Sequence, residues 1–136
     1  MKRIILACFV LGLFLLGGLM LSARAADEGG RSMSGCEQNC SSCQSMCEKS
    51  SQYVKKLAGK AATPERLKLF ADCISICKTS HDFLKRGSQF HPEVCKVCAD
   101  VCNACAKSCQ ELNDPKLKEC IEECKKCADS CQKMAG

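Results

Sequence analysis

Tryptophan is absent from this chain of 136 residues, and Tyr53 is its only tyrosine. Beyond the N-terminal segment the remaining aromatics are Phe70, Phe83 and Phe90. With so few rings to stack on bases and no basic stripe to follow a phosphate backbone, the sequence offers no case for nucleic-acid binding. Histidine is equally scarce, at His81 and His91. No Ser/His/Asp set, pair of buried carboxylates or cofactor-binding loop can be assembled, so catalysis finds no support and the chain reads as a non-enzyme. Proline occurs three times, at Pro64, Pro92 and Pro115, which leaves long uninterrupted stretches for helix.

The one long apolar run is N-terminal. Lys2 and Arg3 precede an almost wholly apolar stretch over 4–21, followed by Ala23-Arg24-Ala25. A basic start, an apolar middle and a small-residue ending make a secretory signal peptide over 1–25. The run is nearly long enough to span a bilayer as an uncleaved anchor, but its ending and the polar Ala26-Asp27-Glu28-Gly29-Gly30 favour cleavage. The expectation is an exported, periplasmic protein with no stable membrane association once the signal is removed. A flexible segment over 26–32 then leads into one domain over 33–136. Cleavage removes Lys2, Arg3 and Arg24 but no acid, so the formal charge falls from +5 to +2. The apparent basicity belongs largely to the signal.

Each proline follows a plausible cap or turn residue, Thr63, His91 or Asp114, and opens a segment rich in Lys, Glu, Ala and Leu. Proline suits the first helical position, where its missing N–H has no intrahelical partner anyway. With breakers at Gly59, Gly87 and Asn113-Asp114, the sequence predicts four helices over 33–58, 64–86, 92–112 and 115–134. The connections are short, so consecutive helices should be antiparallel neighbours. The predicted fold is all-α, an up-down-up-down four-helix bundle.

Cysteine is what the chain has in excess. Of sixteen, Cys8 lies in the signal, and the other fifteen fall on the predicted helices. The first carries Cys36, Cys40, Cys43 and Cys47, and the second Cys73 and Cys77. The third carries Cys95, Cys98, Cys102, Cys105 and Cys109, and the fourth Cys120, Cys124, Cys127 and Cys131. Within every helix the steps are three or four, the spacing of an inward-facing seam. Val54, Leu57, Phe70, Leu84, Leu112 and Leu117 continue the same rows, while Glu37, Lys49, Lys96, Asp100, Lys107, Glu122 and Lys125 occupy the opposite faces. Cysteine stands where an ordinary bundle has leucine.

Four chemistries compete for such a core. Free cysteine packs as a small hydrophobe, but fifteen would leave a thin core where Leu and Ile normally supply burial. Disulfides suit an exported protein, yet fifteen is odd. Neighbours three or four apart on a helix also hold their Cβ atoms about 5–6 Å apart, where a disulfide wants about 3.8 Å. Iron–sulfur clusters are suggested by Cys-x₃-Cys-x₂-Cys at Cys36/Cys40/Cys43, Cys98/Cys102/Cys105 and Cys120/Cys124/Cys127. That triplet follows from the three/four alternation, and the bacterial ferredoxin run ending in Cys-Pro is not matched. Soft metal ions remain. A row of Cys₄ zinc sites, each with a local charge of −2, would accumulate buried charge. A monovalent soft ion at about one per thiolate cancels the charge as the tube fills, which favours Cu(I), with Ag(I) meeting the same conditions. An exported copper chaperone and a Zn/Cd-sequestering protein share the ligands and stay as alternatives, ahead of a disulfide-stapled helical protein or an iron–sulfur electron carrier.

In its rows Cys36-x₃-Cys40-x₂-Cys43-x₃-Cys47, Cys73-x₃-Cys77, Cys95 to Cys109 and Cys120-x₃-Cys124-x₂-Cys127-x₃-Cys131, the chain resembles the bacterial copper storage proteins over roughly 33–134. The resemblance implies a bundle whose fifteen cysteines hold many Cu(I) ions, storage or buffering of copper as the role, and a homo-oligomer, commonly a tetramer. It also leaves room for a copper-receiving enzyme or chaperone as partner. Exported members are expected to use a twin-arginine signal, whereas Lys2-Arg3 here resembles a general secretory one, which bears on where copper is loaded.

Topology adds a polarity to the tube. In an up-down-up-down bundle, Met33, His81, His91 and Met134 fall at one end. Val54, Leu57, Leu67, Phe70, Leu112 and Leu117 gather at the other. The expectation is a metal-uptake mouth of soft and borderline ligands at the first end and an apolar plug at the second.

Overall fold

The computed structural model describes residues 32–136. The expected signal peptide over 1–25, with Cys8, and residues 26–31 of the segment expected to be flexible over 26–32 lie outside the described residues, while Ser32 is already helical. Four α-helices and no strand occur among the described residues: α1 over 32–57, α2 Pro64–Lys85, α3 His91–Gln110 and α4 Lys118–Met134. None of these is long and apolar enough to cross a membrane.

Local chemistry sets the ends. Thr63 caps α2, its Oγ1 accepting the Arg66 N–H at 3.2 Å, and Pro64 takes the first helical position. At the other end Gly87 adopts φ +61°, the left-handed region that suits a residue without Cβ. There the Ser88 N–H donates to the Phe83 carbonyl (2.9 Å) and the Gly87 N–H to the Leu84 carbonyl (3.0 Å). This pair of bonds closes the last turn of α2 and frees the chain to reverse. His91, not Pro92, opens α3. Pro115–Leu117 forms a single 3-10 turn rather than the start of α4, because the Asp114 side chain accepts the Lys116 N–H and its carbonyl the Leu117 N–H.

Contacts across the core fix the topology. Cys36 and Cys40 meet Cys131, while Cys47 meets Cys124, so α1 and α4 run antiparallel. Cys77 with Cys98 and Cys73 with Cys102 make α2 and α3 antiparallel. Cys43 with Cys102 and Cys47 with Cys105 make the diagonal pair α1 and α3 parallel. This is the up-down-up-down order expected from the short connections.

The apolar end is built largely as expected. Val54, Phe70 and Leu117 are fully enclosed, with Leu67 and Leu112 packed against them. Leu57 is the exception, 44% exposed. It is the last residue of α1, where Ala58 at φ 56° ends the helix. Polar ties close the outside of this end. Arg66 donates to Ser108 Oγ (3.0 Å) and to the carbonyls of Lys60 and Ala61 (3.1 and 2.9 Å). Tyr53 donates its hydroxyl to Asp114 Oδ2 at 2.7 Å.

Candidate metal centre

Each cysteine of the four rows is at most 1% exposed. All fifteen are free thiols, and the closest sulfurs stand 3.5 Å apart, far beyond an S–S bond. The helices convert a linear spacing into a ladder of sulfur. Five groups have all their Sγ atoms within 4.8 Å of one another. From the Met/His end they are Cys36/Cys95/Cys131, Cys40/Cys98/Cys127/Cys131, Cys77/Cys98/Cys102/Cys127, Cys43/Cys73/Cys77/Cys102 and Cys43/Cys47/Cys73/Cys124. Consecutive groups share sulfurs, so they form one connected chain and not five separate sites. Cys105, Cys109 and Cys120 join in pairs, Cys47 with Cys105 and Cys109 with Cys120, each at 4.0 Å.

A metal–sulfur bond of about 2.3 Å places two thiolates about 4.6 Å apart if linear, about 4.0 Å if trigonal and about 3.8 Å if tetrahedral. The observed spacing accepts all three. Sharing is what separates the metals. No more than two of the four-sulfur groups can be chosen without using a sulfur twice. Closed tetrahedral zinc sites would therefore leave much of the tube empty, whereas ions that accept two or three bridging thiolates can use all of it.

Titration of the thiols is coupled through the same contacts. Cys43 is held below the ordinary thiol value by its contact with Cys102 and those with Cys124, Cys127 and Cys47, which outweigh burial. Cys47 is held above it by contacts with Cys105, Cys120, Cys124 and Cys43 together with burial. A sulfur that ionises is stabilised by S–H donors, and those donors must then keep their protons. At the outer layer the Cys131 contact lowers Cys95, but its contact with Cys36, burial and nearby sulfur charge prevail, and Cys95 is pushed up to about 12.

The Met/His end draws one side chain from each helix. Met33 and Met134 are half-buried against the core. His81 Nδ1 lies 3.3 Å from the Glu37 carbonyl and His91 Nδ1 2.8 Å from the Ser88 carbonyl. A carbonyl only accepts, so Nδ1 is the donor in both contacts and Nε2 takes no part in either. Neither histidine belongs to a sulfur group. Leu84 is buried at this end as well, so the outer layer has an aliphatic neighbour beside the soft ligands.

The sequence profile of the family described as Csp, copper storage protein, matches residues 24–136. The chain belongs to the copper storage protein family. Solved structures share the fold. Nmul_A1745 protein from Nitrosospira multiformis is 37% identical with a TM-score of 0.73, over 77% of this chain and 95% of that one. Cu(I)-bound copper storage protein BsCsp3 is 25% identical with a TM-score of 0.72, over 77% and 99%. Apo copper storage protein 3 from Bacillus subtilis is 27% identical with a TM-score of 0.65, over 76% and 98%. The uncharacterized cysteine-rich protein YhjQ of Bacillus subtilis (strain 168) is 32% identical over 75 residues, 54% of this chain and 62% of YhjQ. That match spans less than two thirds of YhjQ's own length.

The core has one feature that cysteine counting passes over. Ser50, Ser51 and Ser80 are buried among the rows. Serine reads as polar surface in a hydropathy pattern; only its register, three or four residues from the nearest cysteine, marks it as inward.

Proposed function

We propose that this protein stores or buffers several Cu(I) ions per chain, with the fifteen cysteines from Cys36 to Cys131 as thiolate ligands. The observation that carries the reading is the sharing of sulfurs between neighbouring groups along one buried column. Shared thiolates suit a monovalent soft ion that bridges, since each added ion offsets about one thiolate charge in a medium where uncompensated charge is costly. The Cu(I) named for BsCsp3, a protein of the same fold, agrees with this choice. Cleavage of residues 1–25 would deliver the protein to the periplasm, where an oligomer of such bundles would hold copper for a receiving enzyme or chaperone.

Met33, His81, His91 and Met134 serve as the uptake mouth in this reading, their thioethers and Nε2 atoms passing ions to Cys36, Cys95 and Cys131. Uptake and release kinetics test both parts together. Loaded protein should keep its copper through desalting and yield it slowly to a Cu(I) chelator. Replacing all four mouth residues by alanine should slow uptake severalfold and leave capacity nearly intact. Release within the dead time of mixing would indicate a chaperone, and unchanged uptake in the variant would remove the mouth.

A further inference from the structure

The inward row of α2 has two cysteines, where α1 and α4 have four and α3 has five. Followed in steps of three and four, that row reads Phe70, Cys73, Cys77, Ser80 and Leu84, all buried. Ser80 therefore stands in a cysteine's place. It is 0% exposed, and its Oγ has no hydrogen-bond partner. An unpaired buried hydroxyl is destabilising, and a helical serine ordinarily relieves it by bonding the carbonyl four residues back. The adjacent Thr79 does so, donating to the Ser75 carbonyl at 2.9 Å. Ser80 does not.

Its level in the tube follows from its neighbours. Ser80 lies one turn beyond Cys77, whose Sγ is 3.9 Å from Cys98 and 4.0 Å from Cys127. On its other side His81 reaches the Glu37 carbonyl, three residues before Cys40. Both contacts set Ser80 level with the group Cys40, Cys98, Cys127 and Cys131. In that group α1, α3 and α4 supply all the sulfur and α2 supplies none. Ser80 is what α2 contributes.

We propose that Ser80 is a positioning residue for this layer, its hydroxyl donating a hydrogen bond to a thiolate of the Cys40/Cys98/Cys127/Cys131 group when the layer carries metal. A hydroxyl oxygen is a poor ligand for a soft ion, but its proton is a good donor to a sulfur that bears charge. In the metal-free protein no acceptor, sulfur included, stands in hydrogen-bond geometry with the hydroxyl, so the bond is one that forms on loading. Loading converts the sulfurs to thiolates, and a metal-bound thiolate keeps lone pairs that accept a hydrogen bond from outside the coordination sphere. The hydroxyl then orients and stabilises a ligand from outside the coordination sphere. This inference rests on the Cu(I)-storage reading.

The test compares reduced wild-type protein with Ser80→Ala and Ser80→Cys, titrated anaerobically with Cu(I) against a chromophoric Cu(I) chelator at several pH values. Ser80→Ala should keep the total ion count while a subset of ions loses affinity roughly tenfold or more, the loss of one charge-assisted hydrogen bond. The same subset should need a higher pH to load, a change that a merely space-filling serine would not produce. Ser80→Cys should add about one ion per chain, because a soft ligand then completes the row. Superimposable isotherms and pH profiles for wild type and Ser80→Ala would overturn the inference, as would an unchanged ion count in Ser80→Cys. Failure of the wild-type protein to bind Cu(I) would instead overturn the storage reading beneath it.

Discussion

The melting temperature of the reduced protein rises by about 20 °C or more on loading with Cu(I). The expectation comes from the composition of the core. Its large enclosed side chains are few, chiefly Phe70, Leu117 and Val54, and the column between them is thiol. A cysteine buries about two methylene equivalents less than leucine, or about 1.5 kcal/mol less transfer free energy per position. Repeated along four helices, that shortfall leaves the metal-free bundle without the reserve of an aliphatic one. Metal that binds only the folded column adds about 4 kcal/mol for each site filled at a thousand times its dissociation constant. A domain of this size gains about 4–8 °C for each kcal/mol, so even a few well-filled sites move the transition by tens of degrees. Differential scanning calorimetry of metal-free and loaded protein measures it. A melting temperature independent of copper would mean that the thiols already pack as a sufficient core and bind no metal in the native state.

Acid weakens binding steeply. In the outer group, Cys36 is held below the ordinary thiol value by its contact with Cys131, and then with Cys40 and Cys95, against burial. Cys131 is held above it by contacts with Cys127, Cys36, Cys40 and Cys95 and by burial, and Cys95 is pushed up to about 12. The two raised thiols are protonated throughout the neutral range and must each release a proton to become ligands. Affinity at this group should therefore fall by at least about a hundredfold for each unit of falling pH, about tenfold for each proton released. Chelator competition between pH 6 and 8, with proton release followed in weak buffer, measures the slope. The metal-free fold has the opposite dependence at Cys95. A thiol raised from 9.0 to about 12 contributes stability that is present below 9 and lost as pH rises toward 12. Copper affinity that stayed flat across the neutral range would mean that these sulfurs are not the ligands.

The fold was legible because two independent signals agreed. Cysteine and aliphatic residues recur at three and four along each row, and Thr63-Pro64 and Gly87 mark helix ends by chemistry that does not depend on the core. The misplaced boundaries have local causes. Pro115 reads as a first helical residue, but Asp114 draws two N–H groups into a 3-10 turn, so α4 begins at Lys118. Leu57 has the right spacing for the plug and lies outside it, because periodicity says nothing of where a helix ends. Which sulfurs meet across helices was not legible either. The pairing of Cys36 with Cys131 or Cys77 with Cys102 depends on the axial offset of one helix against another, which spacing within a helix does not encode. Ser80 was hidden for a different reason: its residue type says surface and only its register says core.

Anaerobic titration of the reduced protein with Cu(I), counting bound metal and free thiol together, tests the central claim most directly. A column of shared thiolates predicts binding that approaches one ion per cysteine, with all fifteen thiols of the bundle protected at saturation. Saturation near one ion per four cysteines, or few titratable thiols after full reduction, would contradict a copper-storing core.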